Sequence, residues 1–360
     1  MMQLTLLQQN IINAYQKELP LSSKPYQTMA TSLGCDEVEV ISALNDLDEQ
    51  GVLSRVGPVF DHKKAGASTL AAIAVPPESL DKIAGIVNQF EQVNHNYARE
   101  HSYNLWFVAT AIDPMALAET LQQIEQLTGL PILVLPMEAS YHIDLGFKIN
   151  FDKDNKAKPS SRNLVDETND KIVIPDITHS LSVEQQGLLR KALEKGLPKT
   201  SMPYAQLAKR ISVTEQQVQS QIYQWQQSGL IRRFGLVVKH RKLGFNANAM
   251  VVWNIPDELV DDIAGQLSSF DEVSLCYRRP RRLPDWSYNL FCMIHGKDRQ
   301  VVLEQIATIS EKLLSANPAL STGEKGIDKD ILFSNKAYKQ HGARYSKARQ
   351  STQTLECAHG

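Results

Sequence analysis

The sequence predicts an α+β protein made by tandem duplication, each copy a winged helix-turn-helix followed by a ferredoxin-like βαββαβ domain. Three observations carry this reading. Arg55-Val-Gly57-Pro-Val59 with His62 and Gly66 recurs as Arg233-Phe-Gly235-Leu-Val237 with His240 and Gly244, every pair 178 positions apart. Tyr103-Asn104-Leu105-Trp106-Phe107 recurs as Tyr288-Asn289-Leu290-Phe291-Cys292, at an offset of 185. Between the copies, residues 151–171 are charged and polar with no apolar periodicity, as a linker is.

The elements follow in order. Copy one opens with helices over about 5–18, 26–33 and 36–50, closed by Gly34 and Gly51, after which Val52–Val56 reads as a strand leading into a wing. Copy two repeats this as Leu181–Lys195, Pro203–Ile211 and Thr214–Ser228, then Gly229-Leu-Ile-Arg-Arg. Each sandwich domain then runs strand (Thr69–Val75; Ala247–Ile255), helix (Pro77–Phe90; Pro256–Phe270) and two strands (Gln92–Arg99 with Ser102–Ala111; Glu272–Arg278 with Ser287–His295). A helix (Pro114–Thr128; Lys297–Ser315) and a closing strand (Ile132–Leu135; near Ile331–Ser334) complete it. Proline at the helix starts suits the first helical position, where its missing N–H is not needed. The resulting boundaries are winged helix 1–66, ferredoxin-like domain 67–150, linker 151–177, winged helix 178–244, ferredoxin-like domain 245–345 and a loose polar tail 346–360.

Composition narrows the class. The 360 residues are too many for one ordinary core, and 42% hydrophobic with 22% charged residues is globular usage. The net charge of −2 hides an asymmetry: residues 1–150 hold 8 Lys+Arg against 17 Asp+Glu, and residues 151–360 hold 30 against 23. Anion binding is therefore expected from the second half. Cys35, Cys276, Cys292 and Cys357 have no C-x-x-C spacing, which predicts neither disulfides nor zinc and fits a reducing cytoplasm. The N-terminus reads as a helix rather than a signal peptide, and no apolar run is long enough for a membrane span.

A winged helix invites a DNA-binding reading, and charge argues against it. Phosphate neutralisation by Lys and Arg supplies most of the affinity for a duplex. The third helix of copy one, Asp36–Gln50, holds six acidic residues and no basic one; its counterpart, Thr214–Ser228, holds one Glu and no Lys or Arg. Only the second wing (Arg232, Arg233, Lys239, His240, Arg241, Lys242) is basic. These modules are expected to pack and dimerise instead. P-loop, G-x-G-x-x-G, G-x-S-x-G and H-E-x-x-H patterns are all missing, so nucleotide, serine-hydrolase and metalloprotease chemistries have no support, and no metal site is expected.

The chemistry is expected at the hairpin of each sandwich domain. Copy one offers His95, Tyr97, Arg99, His101 and Tyr103; copy two offers Tyr277, Arg278, Arg279, Arg281, Arg282, Trp286 and Tyr288. Four arginines within five positions are not needed by a turn, though a solvated basic hairpin is the plain alternative. Guanidinium groups bind carboxylates bidentately and stack on flat π-systems, and with interleaved aromatics they suit a large flat polyanion. An imidazole can carry a proton near neutral pH or bind iron, and alternation puts His95, Tyr97 and Arg99 on one strand face.

The strings HNYARE…YNLWF and CYRRPRRLPDWSYNLFCMIHGKDR, followed by ILFSNKAYKQHGARY, resemble the siroheme decarboxylase branch of the Lrp/AsnC family, in its fused two-copy form from heme d1 biosynthesis. The resemblance covers about residues 5–145 and 181–345. It implies removal of two acetate carboxyls from siroheme, giving 12,18-didecarboxysiroheme and CO2, with siroheme as substrate and no organic cofactor. It also implies related decarboxylase subunits and a homodimer as partners. The residues implied are His101, His95 and Tyr97 as proton donors, with Arg99, Tyr277, Arg278, Arg279, Arg281, Arg282 and Trp286 holding substrate. One departure stands out: some relatives carry histidine before Cys-Tyr in the second hairpin, and this chain has Leu275. The alternatives are an Lrp/AsnC-type transcriptional regulator and a heme-binding sensor.

Overall fold

The computed structural model describes residues 4–143, 181–321 and 326–342. The linker expected over 151–177 and the tail over 346–360 lie outside the described residues. Copy one begins with α1 (Leu6–Tyr15), α2 (Pro25–Leu33) and α3 (Glu37–Glu49), then β1 (Leu53–Phe60) and a single turn, α4 (His62–Ala65). Its second part is β2 (Ala67–Ile73), α5 (Leu80–Asn88), β3 (Val93–Arg99), β4 (Leu105–Ala111), α6 (Pro114–Thr128), β5 (Ile132–Pro136) and β6 (Ala139–Ile143). Copy two begins with α7 (Val183–Lys195), α8 (Pro203–Arg210), α9 (Glu215–Gln227) and β7 (Ile231–Val238). It continues with β8 (Ala247–Trp253), α10 (Val260–Ser268), β9 (Val273–Arg278), β10 (Leu290–Gly296), α11 (Arg299–Ala316) and β11 (Lys329–Gln340). Reciprocal capping boxes start α1, α7 and α9, from Thr5–Gln8, Ser182–Gln185 and Thr214–Gln217, and satisfy backbone N–H groups that a helix leaves open.

The helical modules depart from expectation at the wing. Each copy was expected to form its own wing hairpin; instead β1 pairs antiparallel with β7, so the two copies share one two-stranded ribbon. Gly57 faces Gly235 at the middle of that register, on the local two-fold axis. The reason is edge satisfaction: each lone strand has a row of unpaired backbone groups, and the equivalent strand of the other copy supplies them. One continuous core results, running from Ile11, Met29, Leu44 and Leu47 to Leu189, Leu193, Ile222 and Phe234. Two reciprocal bonds seal it, Tyr26 Oη donating to the Pro198 carbonyl at 3.0 Å and Tyr204 Oη to that of Pro20 at 3.2 Å.

The two βαββαβ units form one nine-stranded sheet, ordered β5-β2-β4-β3-β11-β8-β10-β9-β6. Within each unit the order is the ferredoxin-like one, but each also lends a strand. β6, which the sequence reading did not include, leaves copy one and pairs with β9, and the second half of β11 crosses to pair with β3. β11 is accordingly much longer than the expected Ile331–Ser334. Helices cover one face of each half. The uncovered faces meet in a shared cluster of Ala72, Trp106 and Leu135 with Met250, Val252, Trp286, Phe291 and Leu332. That junction, roofed by the β1–β7 ribbon, positions the cavity described below.

Close approach at Gly235 makes a direct test of the shared ribbon. A Cβ there would lie 2.5 Å from the backbone oxygens of Tyr15 and Gln16, which cannot move aside as a side chain would. Gly235→Ala is expected to destabilise the protein by about 2 kcal/mol or more in chemical denaturation. Gly265→Ala, in open space on α10, is expected to be neutral or to stabilise by up to about 1 kcal/mol.

Candidate active site

A cavity of about 490 Å³ lies between the sheet and the β1–β7 ribbon. This is within the range of small-molecule sites. Its floor comes from alternate residues of β3, β4, β9 and β10: His95, Tyr97 and Arg99, Trp106 and Val108, Leu275 and Tyr277, Phe291, Met293 and His295. Arg279, just past β9, completes that side. Its roof comes from Arg55, Val59, Arg232, Arg233 and Val237. Arg241, Asn248, Ser334 and His341 close the sides. Among the described residues lining it there are six arginines and no carboxylate.

Two of those arginines repeat one arrangement. Arg99 donates from Nη1 to the Leu332 carbonyl at 2.9 Å, and its guanidinium carbon lies 5.7 Å from the centre of the Tyr97 ring. Arg279 donates from Nη1 to the Leu135 carbonyl at 2.5 Å, with its guanidinium carbon 5.6 Å from the Tyr277 ring centre. Each reaches a backbone oxygen of the opposite copy. Both are buried, 9% and 8% exposed, and in both Nε has no hydrogen-bond partner. Neither has a carboxylate within ion-pair distance among the described residues. Burial pulls each guanidinium down to about 10. A buried cation lacking a counter-ion is costly, and an anionic ligand would supply what is missing.

The proton-handling groups sit beside them. His95 Nδ1 lies 3.2 Å from Tyr97 Oη. Protein surrounds the imidazole, whose remaining accessible surface faces the cavity, and that burial, reinforced by His341 and Arg55, lowers it to about 4. Burial raises the Tyr97 phenol, with Arg99 and Arg241 opposing. Tyr277 is pushed up to about 12 by burial, against the pull of Arg279 and Arg232. Without an anion present, the site therefore holds a neutral imidazole against two protonated phenols. Bound carboxylates would favour the imidazolium.

The structure brings His95, Tyr97, Arg99, Tyr277 and Arg279 together and takes the other expected residues elsewhere. His101 does not line the cavity. It lies in the β3–β4 turn, where Nδ1 accepts from the Tyr103 N–H at 2.9 Å, Nε2 is 3.5 Å from Asp330 and the ring sits edge-on to Trp286 at 5.4 Å. Trp286 is 1% exposed in the apolar junction of the two halves, packed against Trp106 at 5.3 Å, and so acts in packing. Arg278 points to the opposite strand face and pairs with Glu138 at 3.2 Å. Arg281 pairs with Asp257 at 3.3 Å and donates to the Ile255 carbonyl at 2.6 Å. Arg282 is exposed and donates to the Val134 carbonyl at 3.1 Å. Period-2 alternation decides these outcomes, since it sends Arg278 away from the face that Tyr277 and Arg279 share.

Sequence reasoning missed Arg55, Arg233 and Arg241. Arg55 and Arg233 are landmarks of the repeat, so their signal is present; the sequence puts Arg55 on the strand leading into the first wing and Arg233 in the second wing, and the ribbon brings both over the sheet. The arginines lining the cavity are not confined to the second half, where anion binding is expected: Arg55 and Arg99 come from copy one.

Comparison with known proteins agrees with this architecture. Residues 64–142 and 242–339 match the AsnC-like ligand binding domain, so fold and cavity together define a two-copy protein of that ligand-binding class. Residues 8–53 and 188–232 match the siroheme decarboxylase NirDL-like HTH domain. A siroheme decarboxylase NirDL subunit from Paracoccus denitrificans is 37% identical over 334 residues, 92% of this chain and 95% of that one. A siroheme decarboxylase NirD subunit from Pseudomonas aeruginosa is 52% identical over 143 residues, 40% of this chain and 95% of its own length. The solved structure of a siroheme decarboxylase NirDL bound to an iron-uroporphyrin III analogue aligns with a TM-score of 0.63 at 23% identity, over 95% of this chain and 94% of that one. The chain belongs to the siroheme decarboxylase NirDL family.

The His95 environment has a measurable consequence. Its folded pKa of about 4 lies below the ordinary 6.5, so the unfolded chain takes up a proton in that interval and the folded one does not. Stability from the neutral ring is full above pH 6.5 and is withdrawn as pH falls towards 4. The loss is up to about 3 kcal/mol. His95→Gln is expected to flatten that limb of the stability curve measured by urea unfolding; equal slopes in both proteins would refute the assignment.

Proposed function

We propose that the cavity binds siroheme and that the protein is a carboxy-lyase removing the acetate carboxyls at positions 12 and 18. The products are 12,18-didecarboxysiroheme and two CO2, within heme d1 biosynthesis. The observation carrying this reading is the pair of buried guanidiniums, Arg99 and Arg279, with no carboxylate partner among the described residues. A macrocycle bearing several carboxylates offers counter-ions to both at once, and Tyr97 and Tyr277 give it aromatic walls.

In each loss the bond between the acetate methylene and its carboxylate breaks. The electron pair stays on the methylene carbon, delocalised into the macrocycle, and a proton closes the methyl group. Arg99 and Arg279 fix the ring and hold neighbouring carboxylates. His95, hydrogen-bonded to Tyr97, is the proton donor, and both side chains line the cavity. No organic cofactor enters this scheme; siroheme is the substrate. The reading includes work in the cytoplasm as a homodimer, and among the described residues no helix is long and apolar enough to cross a membrane.

Operator binding is disfavoured by one specific feature. The strands that would form two wings are joined to each other in the β1–β7 ribbon, above two recognition helices without a basic residue. Anaerobic incubation with siroheme, followed by mass spectrometry, separates the readings. Loss of two CO2 is expected, and recovery of bound but unchanged siroheme would favour the sensor. Arg99→Ala and Arg279→Ala are each expected to lower kcat/KM by roughly 100-fold. Full activity in both variants would overturn the site.

A further inference from the structure

The roof of the cavity has two-fold symmetry in its backbone but not in its charge. The β1–β7 ribbon carries one bulge near each end, where Ser54 on β1 and Arg232 on β7 are the extra residues. A bulge re-aims its side chain, and both of these line the cavity. Ser54 and Arg232 are equivalent in the repeat, and so are Asp61 and Lys239, which directly follow the two strands. The backbone around them matches: Asp61 N–H donates to the Leu230 carbonyl and Lys239 N–H to that of Val52, both at 2.7 Å.

The side chains do not match. At one end Arg232 is neutralised by Asp61, with Nε and Nη2 each 2.6 Å from Oδ2 of a carboxylate that is itself buried. At the other end Ser54 brings no charge. The half-buried Lys239 lines the cavity there, with no ion-pair partner among the described residues. That end lies over the copy-one wall, since Arg241, two residues on, donates to Ser334, and Ser334 faces Arg99 across β11 and β3. One end of the roof is therefore an ion pair and the other an ammonium with no counter-ion.

The difference matters because the rest of the cavity repeats. Tyr97–Arg99 and Tyr277–Arg279 recur, so a flat polycarboxylate fits either way round about the axis through Gly57 and Gly235 unless the ends are told apart. Discrimination needs an attraction at one end that is withheld at the other. We propose that Lys239 and Asp61 set the orientation of the macrocycle, Lys239 by taking a peripheral carboxylate at the copy-one end and Asp61 by occupying Arg232 at the other. This rests on the decarboxylase reading given above.

The distribution of monodecarboxylated isomers formed early in an anaerobic reaction with siroheme reads the docking, because a macrocycle set the other way round presents different acetates to the same groups. One isomer is expected to predominate with the unsubstituted protein. Lys239→Gln is expected to lower its excess over the others roughly 10-fold, the worth of one charge-assisted contact. Lys239→Arg, which keeps the charge, is expected to retain that excess. Asp61→Asn frees Arg232 and is expected to lower it as Lys239→Gln does. Isomers in equal amounts from the unsubstituted protein, an unchanged distribution in Lys239→Gln or Asp61→Asn, or the same loss of excess in Lys239→Arg would overturn the proposal. Siroheme returned intact by the unsubstituted protein would instead remove the decarboxylase reading, and this proposal with it.

Discussion

Burying a guanidinium away from any carboxylate is the constraint on which the rest of this architecture depends. Arg99 and Arg279 each spend one N–H on a backbone oxygen of the opposite copy and keep Nε without a partner. Such a group is tolerated only where the surroundings are rigid and the desolvation cost is offset elsewhere. The offset comes from the apolar junction: Trp106, Trp286, Phe291 and Leu332 pack the two uncovered sheet faces together, and the strands exchanged through β6 and β11 lock them in register. Because Arg99 and Arg279 anchor on Leu332 of β11 and Leu135 of β5, each in the opposite copy, the arginine anchors and the fit of the halves are one structural fact.

Much of the fold could be read from residue order because it rests on local rules. Helix starts at Pro25, Pro114 and Pro203, capping residues at Thr5 and Thr214, and alternation along Leu105–Ala111 all act within a few residues. The wing failed as a prediction because its partner is 178 positions away: β1 looks the same locally whether it pairs with a return strand or with β7. β6 failed for the same reason, since a five-residue strand completed by β9 of the other copy has no local signature.

The site was legible to the extent that alternation reached. His95, Tyr97 and Arg99 fall on one face, and so do Tyr277 and Arg279. Beyond the strand ends the chemistry of single residues misled. Arg281 and Arg282 look like anion clamps in a string of letters, yet in the loop they satisfy carbonyls of Ile255 and Val134. Trp286 looks like a stacking platform and is a core residue. His101 looks like a proton donor, and its ring nitrogen is used to close its own turn. Charge and aromaticity state what a side chain is able to do; only the pairing of distant strands decides whether it faces ligand or protein.

Covalent fusion explains why the halves are free to differ. In a symmetric dimer of identical subunits, a histidine placed on one wall is necessarily placed on the other, and any change is made twice. A duplicated chain escapes that. Here the duplication retains what must act on both sides, Tyr97 with Tyr277, Arg99 with Arg279 and Arg55 with Arg233. It varies what need act on only one, as at Ser54 against Arg232 and Asp61 against Lys239. A substrate whose peripheral groups are not arranged with two-fold symmetry is matched better by such a cavity than by a symmetric one. The conserved pairs supply the positive field common to both ends, while the unmatched residues set what happens at each.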